Sequence, residues 1–460
     1  KKELITYINE NDIDGTLLNE VSHLVEWPTA LKISFPDEFL SLPEEVLIQC
    51  LKKHQKAFLI RSNDSFTNAC VVIADSIHPN NKESVINGNQ KVMLARLNDV
   101  QFFWDEDIKN NGFSNWNAKL ETVIFQDGLG SIAEKVERVS HICHTICDQL
   151  NTDKKIRDSI DRAAHRCKSD LVSNMVQELP SLQGVMGGYY AVYFKEAPEV
   201  ANAIKEHYQP RFEGDDLPKN LKGVILSIAD RLDTIVACFE NNNIPTGSRD
   251  PWGIRRSMLA IVRMMIENDL NLNLELLIED ATLTLGKKIS ENTSVCHDFF
   301  KKRIETVVLE LGIPHDLIQL FDSILGKEPM LMVNQSRLLM KLKEDDVDQY
   351  QLLIETTVRV SKIIKIETDS KSTVNSDLFL KPIEKEAFQK FQELKQGKDL
   401  FFIDDLNLTN TIAFCELLTI YFEDVLINAE NIKIANNRRS FIQEVNQYFQ
   451  SAGNWLKLTR

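Results

Sequence analysis

The sequence predicts a multidomain, mainly α chain that opens on an α+β domain, and three observations carry that expectation. At 460 residues the chain is long enough for about three domains. Apolar, β-prone runs are confined to roughly the first 125 residues. Beyond about Phe125, apolar side chains recur every three or four positions, the spacing of helices with one buried face. Hydrophobic residues make up 43% of the chain and charged residues 26%, so a packed core is expected and disorder is not.

Taken in order, Pro43-Glu44-Glu45 followed by Val46, Leu47, Cys50 and Leu51 predicts a helix start, with proline and acids in the first turn. The runs Gln55–Arg61 and Ala69–Asp75, joined through Ser62-Asn63-Asp64-Ser65, predict a β-hairpin. Ile132, Val136 and Val139 then share one helical face, with Glu134, Lys135, Glu137 and Arg138 expected elsewhere on the helix. Helix breaks are expected at Pro180, Pro210–Pro218, Pro245–Pro251, Gly312-Ile313-Pro314 and Gly326–Pro329. Val347, Tyr350, Ile354 and Val358 predict the apolar stripe of a long helix, followed by a polar linker over Glu367–Asn375. Phe441, Val445 and Tyr448 mark the packed face of a final helix.

The formal charge of −15, from 53 basic and 68 acidic residues, means that any nucleic-acid contact must come from local patches. Residues 381–460 carry 10 basic and 11 acidic side chains, so most of the acidic excess lies upstream. Eight scattered cysteines without a signal peptide fit a reducing compartment, and a cytoplasmic location is expected. No apolar run is long enough to cross a bilayer, so no membrane association is expected. The start at Lys1-Lys2-Glu3, without an initiator methionine, suggests a piece of something longer.

Four constellations could carry chemistry. His141, Cys143, His144 and Cys147 have helical spacing for two metal-ligand pairs; the plainer reading makes Ile142 and Ile146 the buried side, the cysteines small apolar fillers and the histidines its rim. His165-Arg166-Cys167-Lys168-Ser169-Asp170, with Asp230 sixty residues later, invites comparison with His-Asp phosphohydrolases. Those enzymes use an adjacent His-Asp pair and a distant Asp to hold a divalent metal that activates water. Here Ser169 stands in the histidine's place, so a principal ligand is missing. A metal-dependent phosphohydrolase using His141, His144, Asp170 and Asp230 is the rival reading of function. The loop Ile244–Gly253 leads into a helix whose first turn carries Arg255 and Arg256, against the helix dipole. With Arg249 these arginines meet either a phosphate or internal acids such as Asp230 or Asp233. Asn436-Asn437-Arg438-Arg439 could pair and stack with exposed RNA bases, and a solvated helix start would look the same. Walker, dinucleotide, HExxH, GxSxG and zinc-ribbon signatures are absent.

Several long strings together resemble the bacterial-type glycyl-tRNA synthetase β subunit. They are Val25-Glu26-Trp27-Pro28, Leu42–Gln55, Gly88–Val92, Ala95–Asp99, Phe102–Asp107, Phe125–Ser131 with Lys135–Arg138, Leu182–Gly187 with Tyr189-Tyr190-Ala191, His207–Phe212 and Ile244–Arg256. Gly188 stands where an Arg is common. More loosely, Tyr421–Ile427 followed by Asn437-Arg438-Arg439 is similar to the family's anticodon-binding helices. The resemblance implies a class II aminoacyl-tRNA synthetase of two α and two β chains. The α subunit would carry ATP, Mg and glycine, and the β chain would bind tRNA(Gly) with no catalytic site, cofactor or metal of its own. It further implies that residues 1–124 resemble the editing-type module of the phenylalanyl enzyme's large subunit. Residues 125–270 would form an HD-like helical domain with a degenerate metal site at Ser169, Asp170 and Asp230. Residues 271–375 would be a helical linker region and 376–460 an anticodon-binding helical domain. The implied tRNA contacts are Arg249, Arg255 and Arg256 toward the acceptor end and Asn437, Arg438 and Arg439 toward the anticodon.

Overall fold

The structure, a computed structural model, describes residues 1–62, 65–109, 112–364, 373–395 and 405–458. It divides into two compact units, one of Lys1–Cys147 with Thr152–Asp233 and one of Asp148–Asn151 with Thr234–Arg460. The four-part division expected from the sequence is finer than this.

The first unit contains β1 (Pro28–Ser34), β2 (Phe58–Ser62) and β3 (Ser65–Asp75), an antiparallel sheet in the order β1-β3-β2. The expected hairpin is β2 with β3; its turn residues 63–64 lie outside the described residues. β1 was not anticipated. It pairs with β3 from Pro28↔Asp75 to Ser34↔Ala69, and its proline sits at the first position, where a missing N–H does least harm. Alternation along the strands gives the sheet two apolar faces. Ala30, Phe58 and Val71 pack against Leu4, Ile8, Leu17 and Val21. Cys70, neighbour of Val71, points the other way and meets Met93 of α1 (Lys82–Lys109), with the sulfurs 3.7 Å apart. The helix start at Pro43 is present as Glu44–Leu47, running into a π-helical turn over Ile48–His54.

The rest of this unit is helical: α2 (Ile132–Gln149), α3 (Lys154–Ala164), α4 (Val185–Tyr193), α5 (Pro198–Glu206) and α6 (Leu221–Glu240), within which the unit boundary falls. Ile132, Val136 and Val139 are buried as expected, but so are Lys135 and Arg138. α4 and α5 approach through glycines. A Cβ on Gly187 would lie 2.8 Å from Ile204 Cγ2, and one on Gly188 would lie 2.8 Å from Lys205 Cβ and 3.0 Å from the Ala201 carbonyl oxygen. The glycine at 188 is therefore what this close packing requires. Asp107 of α1 joins the sheet layer to the helices: it accepts from Asn174 N, Met175 N and the Tyr190 hydroxyl at 2.9, 3.0 and 2.7 Å.

The second unit contains no strand among the described residues. Its main helices are α7 (Ile254–Glu267), α8 (Glu291–Glu310), α9 (Val347–Ile364), α10 (Pro382–Lys395), α11 (Asp405–Asp424) and α12 (Ile432–Ala452). Of the expected stripe on α9, Tyr350 and Val358 are buried, Ile354 is half-buried and Val347 exposed, while Leu353, Thr357 and Val360 also belong to the buried side. Thr357 belongs there because its hydroxyl donates to the Leu353 carbonyl at 2.8 Å, which satisfies its polar group inside the helix. Most of the expected linker, residues 367–372, lies outside the described residues. Around α12, Phe441, Val445 and Phe449 are fully buried, and Phe391 of α10 stacks on Phe414 of α11 at 5.5 Å.

Candidate functional site

Asp230, one of the three positions compared with a metal site, lies in a closed ionic core of the first unit. Lys168 precedes the Ser169-Asp170 pair, and its ammonium donates to Asp230 Oδ2 at 2.8 Å. It also lies 3.0 Å from His207 Nε2 and 3.9 Å above the Tyr208 ring. Lys135 of α2 reaches the same carboxylate, with Nζ 3.1 Å from Asp230 Oδ1 and 2.9 Å from Asp233 Oδ2. Arg138, one turn on, forks onto Asp233 at 2.6 and 3.2 Å. Three cations thus converge on two carboxylates. Burial alone would raise the Asp230 carboxyl, but Lys135 and Lys168 hold it far below the usual carboxylate range. Burial, and then Lys168, push the His207 imidazole well below its ordinary value, so the ring is neutral. Its Nδ1–H donates to the Ile204 carbonyl at 2.6 Å, which leaves Nε2 to accept from Lys168.

Ser169 and Asp170 face elsewhere. The Ser169 hydroxyl donates to Asn117 Oδ1. Asp170 Oδ2 accepts from the amides of Gly184 and Gly187 at 2.6 and 2.9 Å, whereas its Oδ1 has no hydrogen-bond partner among the described residues. Burial pushes this carboxyl up to about 6, against the two amide bonds and Lys168. Gly184 has φ +78°, and a Cβ there would lie 2.6 Å from the Tyr208 ring, so the Leu182–Gly187 string is shaped to hold Asp170.

These residues do not fit a divalent cation. The place beside Asp230 and His207 is taken by an ammonium, and no group of three or more His, Cys, Asp or Glu among the described residues is arranged to hold a metal. Nor do the rival's four residues assemble. His141 and His144 are exposed on α2, with His144 Nε2 3.1 Å from Asp161 Oδ1, while Asp170 and Asp230 are buried. Cys143, Cys147, Ile142 and Ile146 are fully buried, as the plainer reading of that string expected.

In the second unit, Asp250 stops the α7 dipole from being faced by arginines alone. Its carboxylate accepts from Ile254 N at 2.8 Å and Arg255 N at 3.0 Å, and Gly253 at φ +63° turns the chain into the helix. Arg249 and Arg256 are exposed and Arg255 is half-buried. The internal-acid alternative is corrected here. Asp230 and Asp233 are held by Lys135, Arg138 and Lys168, and no ion pair among the described residues engages Arg249, Arg255 or Arg256.

The C-terminal patch is different. It lies inside α12, behind the cap in which Asn431 accepts from Lys433 N, and it is not a solvated helix start. Arg438 is buried: Nε and Nη2 donate to Glu384 at 2.6 and 3.0 Å, and Nη1 donates to the Leu426 carbonyl at 2.8 Å. Asn437, also buried, pairs with the backbone of Asn375 at 2.7 and 3.0 Å. Arg439 is half-buried and donates to Asn428 Oδ1 at 2.8 and 3.1 Å. The structure therefore gives Asn437 and Arg438 internal partners and leaves Arg439 the more accessible of the three.

Sequence reasoning missed the roles of Lys135, Arg138, Lys168, His207 and Asp233. One signal was available: Lys135 and Arg138 sit three apart and interleave with Ile132, Val136 and Val139, so they cannot all be on a solvated face.

The family model described as glycyl-tRNA synthetase beta subunit matches residues 4–321. Curated relatives called glycine–tRNA ligase beta subunit include those of Paracidovorax citrulli, 35% identical over 437 residues, and Halalkalibacterium halodurans, 36% identical over 442 residues. The first alignment covers 94% of this chain and 61% of the relative; the second covers 93% and 62%. That of Coxiella burnetii (strain Dugway 5J108-111) is 35% identical over 447 residues, covering 95% and 64%. The chain spans about three fifths of the length of the curated relatives it matches. Matched by the family model over more than half of its length, and about 35% identical to these relatives over more than nine tenths of it, this chain belongs to the glycyl-tRNA synthetase β subunit family.

Proposed function

We propose that the chain is the tRNA-binding β component of a glycine–tRNA ligase, taking part in the ATP-dependent attachment of glycine to tRNA(Gly). In this reading an α partner, in an assembly of two α and two β chains, holds ATP, Mg and glycine and forms the adenylate. The β chain supplies contacts to the RNA. The observation that carries the reading, beside family membership, is the arginine loop. In a chain of net charge −15, Arg249, Arg255 and Arg256 gather with no carboxylate ion-paired to them among the described residues. Such a patch suits the phosphates of an RNA backbone. Arg439 is the accessible candidate at the C-terminal end.

Filter binding of tRNA(Gly) and a non-cognate tRNA at low and moderate salt tests this. Preferential, salt-sensitive retention of tRNA(Gly) is expected. Equal retention of both, together with full charging activity of the α partner when this chain is omitted, would refute the proposal.

A further inference from the structure

The arginine loop has an unassigned neighbour on α8. Arg263 of α7 donates to Glu310 of α8 at 3.1 Å, which fixes the facing seam between the two helices. Eight residues back on α7 lies Arg255, and seven residues back on α8 lies Arg303, so the same seam brings these two together two turns earlier. Here the pairing is of like charges. The Arg303 guanidinium is half-buried over the Phe299 ring, 5.1 Å from its centroid, and one nitrogen touches the Phe299 carbonyl at 3.4 Å. It is held below its usual range by burial first and by the Arg255 guanidinium next; only Asp250 acts the other way. That carboxylate already accepts two amides of the α7 cap. Arg256 folds back over Gly253, where a Cβ would lie 2.8 Å from its Nη2, and Trp252 stands 45% exposed beside it.

Two guanidiniums on one helix seam, one of them half-buried over a ring, repel each other unless an anion joins them. Elsewhere in this unit, cations near acids are paired: Lys301 with Asp322, Lys327 with Glu275 and Arg438 with Glu384. We propose that Arg303 completes, with Arg255 and Arg256, a seat for a backbone phosphate of RNA, and that Trp252 offers its open face to an unpaired base next to that phosphate. This rests on the tRNA-binding reading and deepens it.

The test is tRNA(Gly) affinity across a salt series for the 460-residue chain and its Arg303→Gln, Arg303→Lys, Arg255→Gln and Lys301→Gln variants, with circular dichroism melting as the check on folding. Arg303→Gln is expected to bind about tenfold more weakly, with the log–log salt slope reduced by about one. Arg303→Lys should keep the slope while losing affinity, and Lys301→Gln, two residues away on α8, should match the parent. Trp252 is probed with a single-stranded oligoribonucleotide. Its quenching of tryptophan fluorescence should be smaller in Trp252→Phe than in the parent. Parent-like affinity and slope in Arg303→Gln, with Arg255→Gln weakened, would remove Arg303 from the seat and leave the tRNA reading standing. Absence of tRNA(Gly) preference in the parent chain would overturn both.

Discussion

Replacing Lys168 with Met removes one positive charge from a site where it touches Asp230, His207 and Tyr208 at once. The Lys168 side chain is 4% exposed and that of Asp230 10%, so water cannot take over the lost role. Asp230 keeps Lys135, but Lys135 is shared with Asp233. Deleting one partner of a buried ion pair costs about 3 to 5 kcal/mol, mostly through the charge left behind. The expected loss is therefore at least 3 kcal/mol at neutral pH, roughly a hundredfold or more in local opening. Because the chain has two units, a single unfolding midpoint would mix them, and native-state hydrogen exchange of α2 and α6 peptides is the better assay.

The pH dependence sharpens the prediction. In the variant, His207 loses the neighbour that depressed it and keeps Asp230 as an acidic one, so its folded pKa rises. Burial, the larger cause of the depression, remains, so the imidazole is less strongly depressed than in the parent; a depressed histidine costs stability as pH falls below its unfolded value, near 6.5, and that cost stops growing once pH passes below the folded value. The deficit of Lys168→Met should therefore shrink as pH falls through the folded His207 value of the variant. Adding Asp230→Asn should recover part of the loss at neutral pH. Exchange rates in Lys168→Met within a factor of a few of the parent, with no pH trend, would refute the reasoning.

Other outcomes follow from the same geometry. Arg438→Ala should destabilise the C-terminal helices by about 3 kcal/mol or more, because it strands buried Glu384, and a melting shift will show this. Arg439→Ala should leave the melting point within a few degrees and weaken tRNA binding by about 1 to 3 kcal/mol. For Asp170 the folded carboxyl is pushed up to about 6 against 3.8 unfolded, so its contribution is fully present below the unfolded value and lost as pH rises through about 6. Asp170→Asn should then gain about 3 kcal/mol relative to the parent between pH 4 and pH 7, read from paired denaturation curves. Gly188→Arg should disrupt the α4–α5 contact, with faster exchange in both helices, since even a Cβ lies 2.8 Å from Lys205 Cβ.

How much of this could be read from the chain depends on which signal each part uses. The hairpin and the helices after Phe125 announce themselves through apolar period, and the breaks at Pro245–Pro251 and Gly326–Pro329 follow from backbone chemistry. β1 escaped because Pro28 and Lys32 interrupt a short alternation that becomes a strand only by pairing with β3, some forty residues later. The α9 face is wider than its apolar stripe because Thr357, polar by composition, closes its own hydrogen bond and is buried as an apolar residue would be. In the candidate sites, Arg249 and Arg256 are exposed and Arg255 is half-buried, and no ion pair among the described residues engages them. Arg438 is enclosed because its partner, Glu384, lies 54 positions away, beyond any local pattern.

The closed ionic core shows why a missing motif residue understates what has changed. Ser169 in place of histidine removes one ligand, yet the decisive residues are Lys168 and Lys135, which no ligand pattern includes. A divalent ion bound to Asp230 Oδ2 would displace the Lys168 ammonium and still face Lys135 across the same carboxylate. At an effective dielectric of about 20 and about 5 Å, that repulsion alone is about 7 kcal/mol. Arg138, on the adjacent Asp233, adds to it. A histidine at 169 would start from a side chain that faces Asn117, away from Asp230, whose charge balance is already complete. The ammonium of Lys168 does for the helices around it what a bound cation does in a metal site, joining Asp230 of α6 to His207 behind α5, and it does so without offering water a Lewis acid.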